Sequence, residues 1–338
     1  MKPVKTALIG NKHDHTEPNF NSMKAHPETF EIVGVCDLDK TRNCKPYEGF
    51  REYSLDELLA MDDLEAVVIE AGKEYEIEYA QRFADKGIPV FLDKPGSADI
   101  PRFEKFMATM KEKKLPVGFG YVYRFNPLVQ QAKKLLESGE LGEIYSVEAH
   151  MSVRHDPNKR RWLGRYKGGM LFFLGCHLID MVCQFQGFPK EIIPLSCPTG
   201  NEGIMTDDFG CVVFKYENGA SFVKTCASEY NGFDRRQLVI CGTKGTVEIR
   251  PIEVHVSGGL QVANAKITLQ SKNPPAWMNG AEEVTCEPYH RYYPMLEHFA
   301  HEVRGELPMV MSYEYETELL RTIVHACGAE NDVFIGND

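Results

Sequence analysis

The first 120 residues alternate between short apolar runs and longer amphipathic stretches, and few folds accommodate that rhythm. Residues 6–10, 30–36, 64–69, 89–92 and 117–120 each read as a strand with little polar interruption. Strands of that kind are buried on both faces, which is the signature of a parallel sheet covered by helices. Residues 54–61, 74–86 and 100–114 have helical character between them, and Ser54 with Glu57 has the spacing of a capping box. Strand and helix in strict alternation predict βαβ units and an α/β fold.

Near Tyr121 the pattern changes. Residues 127–138 read as a helix stopped by Gly139, and from 144 to 153 apolar and polar residues alternate. Residues 209–216, 221–227, 237–241 and 246–249 follow the same two-residue period, and Asn218-Gly219 joins two of these runs as a hairpin signal. A largely antiparallel sheet is expected here, with closing helices over 292–304 and 313–326 and Pro274-Pro275 in a surface loop. At 338 residues the chain is long enough for two domains, placed at 1–122 and 123–338.

The charge sum of −11 disfavours phosphate backbones and anionic membrane surfaces, although a small anion in a local basic pocket is compatible with it. The N-terminal apolar run is shorter than a signal core, and no run approaches the ~20 residues of a membrane span. The ten cysteines are scattered singly without a CxxC pair, so neither a zinc ribbon nor a thiol redox motif is expected. These features together predict a cytoplasmic protein with no nucleic-acid or membrane partner.

Four segments carry chemistry. Gly10-Asn11-Lys12-His13-Asp14-His15 follows the first strand, where a dinucleotide-binding turn has GxGxxG. Only the first glycine is present; Lys12 and His15 occupy the other two slots, and an ordinary βα turn is the competing reading. Asp37 closes the second strand, where an acid receives the ribose hydroxyls of NAD, so NAD is expected in preference to NADP; the basic Lys40 and Arg42 follow it, and an aspartate that only caps a turn is the competing reading. Asp93-Lys94-Pro95 ends the fourth apolar run, at the sheet edge where such folds bind ligands, although a surface lysine before a turn has the same pattern. Residues 168–180 set a glycine pair before an apolar helix bearing His177 and Asp180, three residues apart and so on one face. A neutral imidazole there can take an alcohol proton, or be a buried core histidine. His13 with His15, and His150 with His155, are metal ligands by residue type only; loop and sheet positions explain them more simply, and no metal is expected. Arg160-Arg161-Trp162 reads as a solvated loop, with an anion or sugar contact as the alternative.

Together these stretches resemble the glucose–fructose oxidoreductase / inositol dehydrogenase / MocA family, nearly end to end. The carriers are the strand-loop-strand to Asp37; residues 87–95, similar to "GKxVxxEKP"; Tyr123-Arg124-Phe125-Asn126-Pro127 with residues 139–144; residues 168–180, similar to "GGGxLxDxGxHxxD"; and Asp207-Asp208, Asn218-Gly219 and residues 242–246. The resemblance implies a Rossmann domain followed by an α/β domain whose open sheet forms a homodimer or homotetramer. It implies NAD(P)-dependent oxidation of a secondary hydroxyl on a sugar, glycoside or cyclitol. Lys94 would orient substrate and His177 act as acid/base. Asp180, Phe173 and Trp162 would line the substrate, while Gly10, Asn11, Lys12, Asp37, Glu70 and Lys94 would hold the cofactor.

Three departures matter. The glycine loop is depleted, Phe173 stands where the family has a carboxylate, and the usual "TPxxxH" loop reads Glu70-Ala71-Gly72-Lys73-Glu74-Tyr75-Glu76. A redox-neutral glycoside hydrolase or lyase with retained NAD, and a non-catalytic sensor or scaffold, are the alternative functions.

Overall fold

The computed structural model describes residues 2–230, 235–273 and 280–336. The chain divides into two compact units, 1–121 with 292–320, and 122–291 with 321–338. The segment 292–320, assigned from the sequence to the second domain, therefore packs with the first. The Pro274-Pro275 loop lies outside the described residues.

The first unit runs β1 (Val4–Ile9), α1 (Thr16–Ala25), β2 (Phe30–Cys36), β3 (Glu52–Tyr53), α2 (Leu55–Leu59), β4 (Ala66–Ile69), α3 (Lys73–Lys86), β5 (Val90–Leu92), α4 (Ile100–Glu112) and β6 (Val117–Phe119). Its six strands are parallel in the order β3-β2-β1-β4-β5-β6. All of β4 and β5 is buried, as two-faced packing requires. Local chemistry sets the helix ends. The Ser54/Glu57 capping box forms on α2, the Asp99 side chain accepts from the Arg102 amide at the start of α4, and Gly87 takes a φ of +81° after α3. The strand order reverses between β1 and β4, and the crevice beyond their C-terminal ends is where ligands bind in such sheets. Helix α1 was not foreseen: its buried positions include Thr16 and Asn19 beside Phe20 and Met23, which hides its apolar face from the sequence pattern.

The second unit contains α5 (Pro127–Glu137), β7 (Ile144–Ser152), α6 (Pro157–Leu163), α7 (Cys176–Gln186), β8 (Glu191–Pro194), β9 (Phe209–Tyr216), β10 (Gly219–Cys226), β11 (Gln237–Gly242), β12 (Gly245–Ile249), β13 (Val254–His255), β14 (Gln261–Val262), β15 (Asn264–Leu269) and β16 (Glu282–Thr285). Eight strands pair in the order β16-β15-β12-β11-β7-β10-β9-β8. The pairing is antiparallel except for β7 with β10, so the sheet is mixed. The expected hairpin joins β9 to β10; Gly219 has a φ of +118°, and a Cβ there would lie 1.9 Å from the Tyr145 carbonyl oxygen. Helix α8 (Tyr293–Val303) belongs to the first unit, and α9 (Tyr313–Ala326) follows. Among the described residues no helix is long and apolar enough to cross a membrane.

The solvated loop expected at Arg160-Arg161-Trp162 is instead the body of α6. Arg160 is completely buried: its Nε reaches Asp208 Oδ2 at 3.1 Å and its Nη1 pairs with Glu202. Thr199 donates from its amide and hydroxyl to Asp208, completing the carboxylate's partners. This arginine holds an internal ion network rather than solvent.

Candidate functional site

In the first unit the loop after β1 is fixed to its neighbours at both ends. Gly10 has a φ of +77°, and a Cβ there would sit 2.7 Å from Ala71 Cα, so only glycine permits this approach of the loops after β1 and β4. The Lys12 and His13 amides donate to the Glu70 carbonyl at 2.9 and 3.3 Å. Buried Asn11 ties the loop after β2, accepting from the Asp39 amide at 2.7 Å and donating to the Asp39 carbonyl. Lys12 is exposed, with its Nζ 5.5 Å from the centre of the Tyr75 ring. Asp37 is exposed at the end of β2, has a φ of +51°, and accepts from the Tyr79 hydroxyl at 3.0 Å. Arg42 donates to the Lys12 carbonyl and lies 3.5 Å from Asp14.

An open groove of about 440 Å³ lies between the loops after β1 and β2, lined by Asn11, Asp14, Thr41, Arg42, Asn43 and Tyr47 among others. A Rossmann dinucleotide fits the features beside it. The glycine that admits a close backbone approach is in place, and the groove offers hydroxyl, amide and guanidinium groups; the solvent-facing carboxylate of Asp37, at the end of β2, is not part of its lining. The fit holds for the adenosine half; at the second and third glycine slots, Lys12 and His15 bring side chains instead.

Glu70, expected to touch the cofactor, has its side chain fully buried; Oε1 accepts from Asn19 Nδ2 at 2.6 Å, and its backbone carbonyl supports the loop. It joins a buried charge cluster that sequence reasoning missed. Asp93, completely buried at the end of β5, lies 2.7 Å from His13 Nε2 and 2.9 Å from His15 Nδ1. Lys73 Nζ pairs with Glu76 and donates to the Asp93 carbonyl at 2.8 Å. Burial lowers the His13 pKa to about 3, and raises Glu76 to about 8 against the pull of Lys73. Burial and the neighbouring Asp93 push Glu70 well above the usual carboxylate range. Asp93 itself, despite its burial, is held low by the two imidazoles beside it. Lys94 follows Asp93 and is 3% exposed. The only sequence signal for this cluster was the His-x-His spacing; Asp93 enters it through the sheet.

In the second unit, α7 presents His177 and Asp180 to one short helical turn, Val122–Phe125. His177, 1% exposed, meets the Tyr123 ring edge-on at 5.1 Å and 89°. The Tyr123 hydroxyl donates to Glu253 and receives Arg236 and Arg291, each at 3.2 Å. Burial, then Glu253, raises its pKa, so it remains a phenol. Asp180, assigned to substrate from the sequence, accepts from Arg124 Nε and Nη2 at 2.9 and 2.8 Å and from Gln184 at 2.8 Å. Its carboxylate is thus engaged within the protein.

Phe173 lies in a π-helical turn, Leu171–Gly175, that leads into α7. It packs edge-on against Trp162 at 4.7 Å, and Lys159 Nζ lies 4.1 Å from the Trp162 ring centre and 5.0 Å from that of Phe173. Phe173 and Trp162 are therefore brought together, as a cation-capped aromatic pair on α6 and the turn.

Residues 4–121 match the family model described as oxidoreductase family, NAD-binding Rossmann fold, and residues 129–248 match the GFO/IDH/MocA C-terminal domain. The uncharacterised oxidoreductase YhhX of Escherichia coli (strain K12) is 30% identical over 212 residues, covering 61% of this chain and 60% of that protein. The chain thus spans about three fifths of the length of that curated relative. D-xylose 1-dehydrogenase (NADP(+)) 2 of Haloferax volcanii is 25% identical over 280 residues, 80% of this chain and 79% of the relative. The solved structure of aldose-aldose oxidoreductase from Caulobacter crescentus superposes with a TM-score of 0.77 at 18% identity, covering 96% of this chain and 98% of that one, a likeness of fold. With both models matched in order, over most of its length, this chain belongs to the GFO/IDH/MocA oxidoreductase family.

Proposed function

We propose that the protein is an NAD-dependent dehydrogenase that oxidises a secondary hydroxyl of a sugar, glycoside or cyclitol. The observation that carries this reading is the pairing of Gly10, held at a φ only glycine adopts freely, with the exposed carboxylate of Asp37 at the end of the adjacent strand. Gly10 and Asn11 would shape the turn that meets the pyrophosphate, and Asp37 would accept the ribose hydroxyls. Arg42 is already engaged by the Lys12 carbonyl and Asp14, which favours NAD over NADP. Bound NAD would supply the hydride acceptor.

By motif position His177 would take the hydroxyl proton, and Lys94 would stabilise charge developing on that oxygen. Asp180 would act on substrate only indirectly, by fixing the turn that carries Tyr123. Phe173 and Trp162 offer an apolar face of the kind sugar rings stack on. We place the protein in the cytoplasm as a homodimer or tetramer. The sheet face bearing Phe222, Val213 and Val239, with Phe222 45% exposed, is the surface that would pair.

The test has two parts. NAD and NADP are titrated calorimetrically, and NADH absorbance is followed across a panel of sugars, glycosides and cyclitols. Tight NAD binding with substrate-dependent NADH formation is expected. Product formation without net NADH would favour the redox-neutral hydrolase or lyase. A folded protein that binds neither nucleotide would leave only a sensor or scaffold.

A further inference from the structure

His13, His15 and Asp93 bring two imidazoles and a carboxylate to one point from segments 78 residues apart, all three ligand atoms within 4.8 Å of one another. We propose that this trio binds one divalent first-row transition ion, at the C-terminal edge of the parallel sheet and in the slot where a dinucleotide loop has its third glycine.

Imidazole nitrogen with carboxylate oxygen suits Zn²⁺, Co²⁺, Ni²⁺ or Fe²⁺. Asp93 Oδ2 already lies 2.7 Å from His13 Nε2 and Oδ1 lies 2.9 Å from His15 Nδ1, so both nitrogens stand against the same carboxylate. With an ion in place each neutral ring would carry its proton on the nitrogen that does not ligate, His13 on Nδ1 and His15 on Nε2.

Glu70 Oε2 is buried without a hydrogen bond among the described residues and lies 3.9 Å from His13 Nδ1. A metal on Nε2 directs the Nδ1 proton toward that oxygen, the carboxylate–histidine–metal arrangement that orients ligating imidazoles. The His15 amide, which points at Nδ1 from 3.2 Å, would give way to it through a small turn of the ring. The His15 side chain is 13% exposed against 3% or less for the other two, which gives an ion its way in. A ligand role also accounts for the loop sequence, since a histidine in the third slot sacrifices close helix–strand packing for a donor.

The experiment uses the full chain, stripped with chelator and free of nucleotide. Co²⁺ is titrated while visible d–d bands are followed, and mass spectrometry counts bound metal. One equivalent of Co²⁺ displaceable by Zn²⁺ is expected, without the intense near-ultraviolet charge-transfer bands of a thiolate ligand. His15→Ala should weaken binding by more than ~100-fold and Glu70→Gln by about tenfold, with circular dichroism confirming the fold. A folded chain that takes up no stoichiometric Co²⁺ overturns the proposal, and so does uptake unchanged by His15→Ala or marked by thiolate bands. The readout is independent of nucleotide and turnover, so its failure leaves the dehydrogenase reading untouched, and the converse holds.

Discussion

Asp180 and Arg124 form a two-pronged buried ion pair, Nε and Nη2 donating at 2.9 and 2.8 Å, with both side chains no more than 3% exposed. Gln184 adds a third hydrogen bond to the same carboxylate. Removing one member leaves the other as an unpaired buried charge, at a cost of about 3–5 kcal/mol. Asp180→Ala should therefore lower unfolding stability by that amount in urea denaturation. A substrate-binding Asp180 would give the opposite pattern, a raised KM at near-native stability.

Gly10→Ala tests the loop that carries the cofactor reading. The new Cβ would lie 2.7 Å from Ala71 Cα and 2.8 Å from Ala71 N, on a backbone already at a φ of +77°. Neither neighbour is a flexible side chain, so the loop itself must move, at a cost of roughly 1–3 kcal/mol. We expect a lower thermal midpoint and, more diagnostically, loss of the stabilisation that NAD gives the native protein in a melting assay.

Asp37 should decide between the nucleotides. Its carboxylate would gain charge-assisted hydrogen bonds from the ribose and repel a 2′-phosphate, each effect on the scale of about 1.5–3 kcal/mol. Asp37→Ala is expected to weaken NAD about tenfold or more while NADP binding improves or holds, measured by calorimetry. Tighter NADP binding to the unaltered protein would shift attention to Arg42.

What the sequence disclosed was local. The unbroken apolar run of β4, the Ser54/Glu57 cap and the Asn218-Gly219 hairpin depend on residues within a few positions of one another. Helix α1 stayed hidden because Thr16 and Asn19 turn inward, Asn19 to reach Glu70. Arg160 looked like a surface residue because its partners, Glu202 and Asp208, are more than 40 positions away. Asp93 joined His13 and His15 for the same reason, since only the sheet brings the ends of β1 and β5 near each other. The parallel pairing of β7 with β10 sits inside an otherwise antiparallel sheet, and a two-residue period carries no direction.

The Glu76 carboxyl is raised to about 8 by its burial, with Lys73, Asp93 and Lys94 as its charged neighbours. In the unfolded chain a glutamate ionises near its model value of 4.5. Between those two values the native state holds the extra proton, so this group's contribution to stability falls as pH rises, by at most about 1.4 kcal/mol per pH unit. Glu76→Gln should remove that slope. Denaturation midpoints of wild type and variant measured from pH 5 to 8 should draw apart in favour of the variant as pH rises. Parallel curves would show that Lys73 keeps Glu76 ionised throughout.

His177 is tested by separating turnover from binding. The side chain is 1% exposed and held edge-on by Tyr123, whose hydroxyl is fixed by Glu253, Arg236 and Arg291. His177→Ala is expected to lower turnover by about 10²-fold or more while NAD affinity is retained, the usual scale for loss of a general base. Lys94→Ala should do the same; if it abolishes NAD binding instead, that lysine belongs to the cofactor. Tyr123→Phe keeps the ring and loses the hydroxyl, so it should leave His177 edge-on and reduce turnover far less than His177→Ala. Phe173→Asp behaves differently, because it puts a carboxylate into the Trp162 pair beside Lys159. The lost ring packing should cost about 3 kcal/mol on the scale of buried aromatic deletions, and Phe173→Leu should recover much of it. If His177→Ala keeps near-native turnover on the substrate that gives NADH, the proton is taken elsewhere and the imidazole serves only to pack against Tyr123.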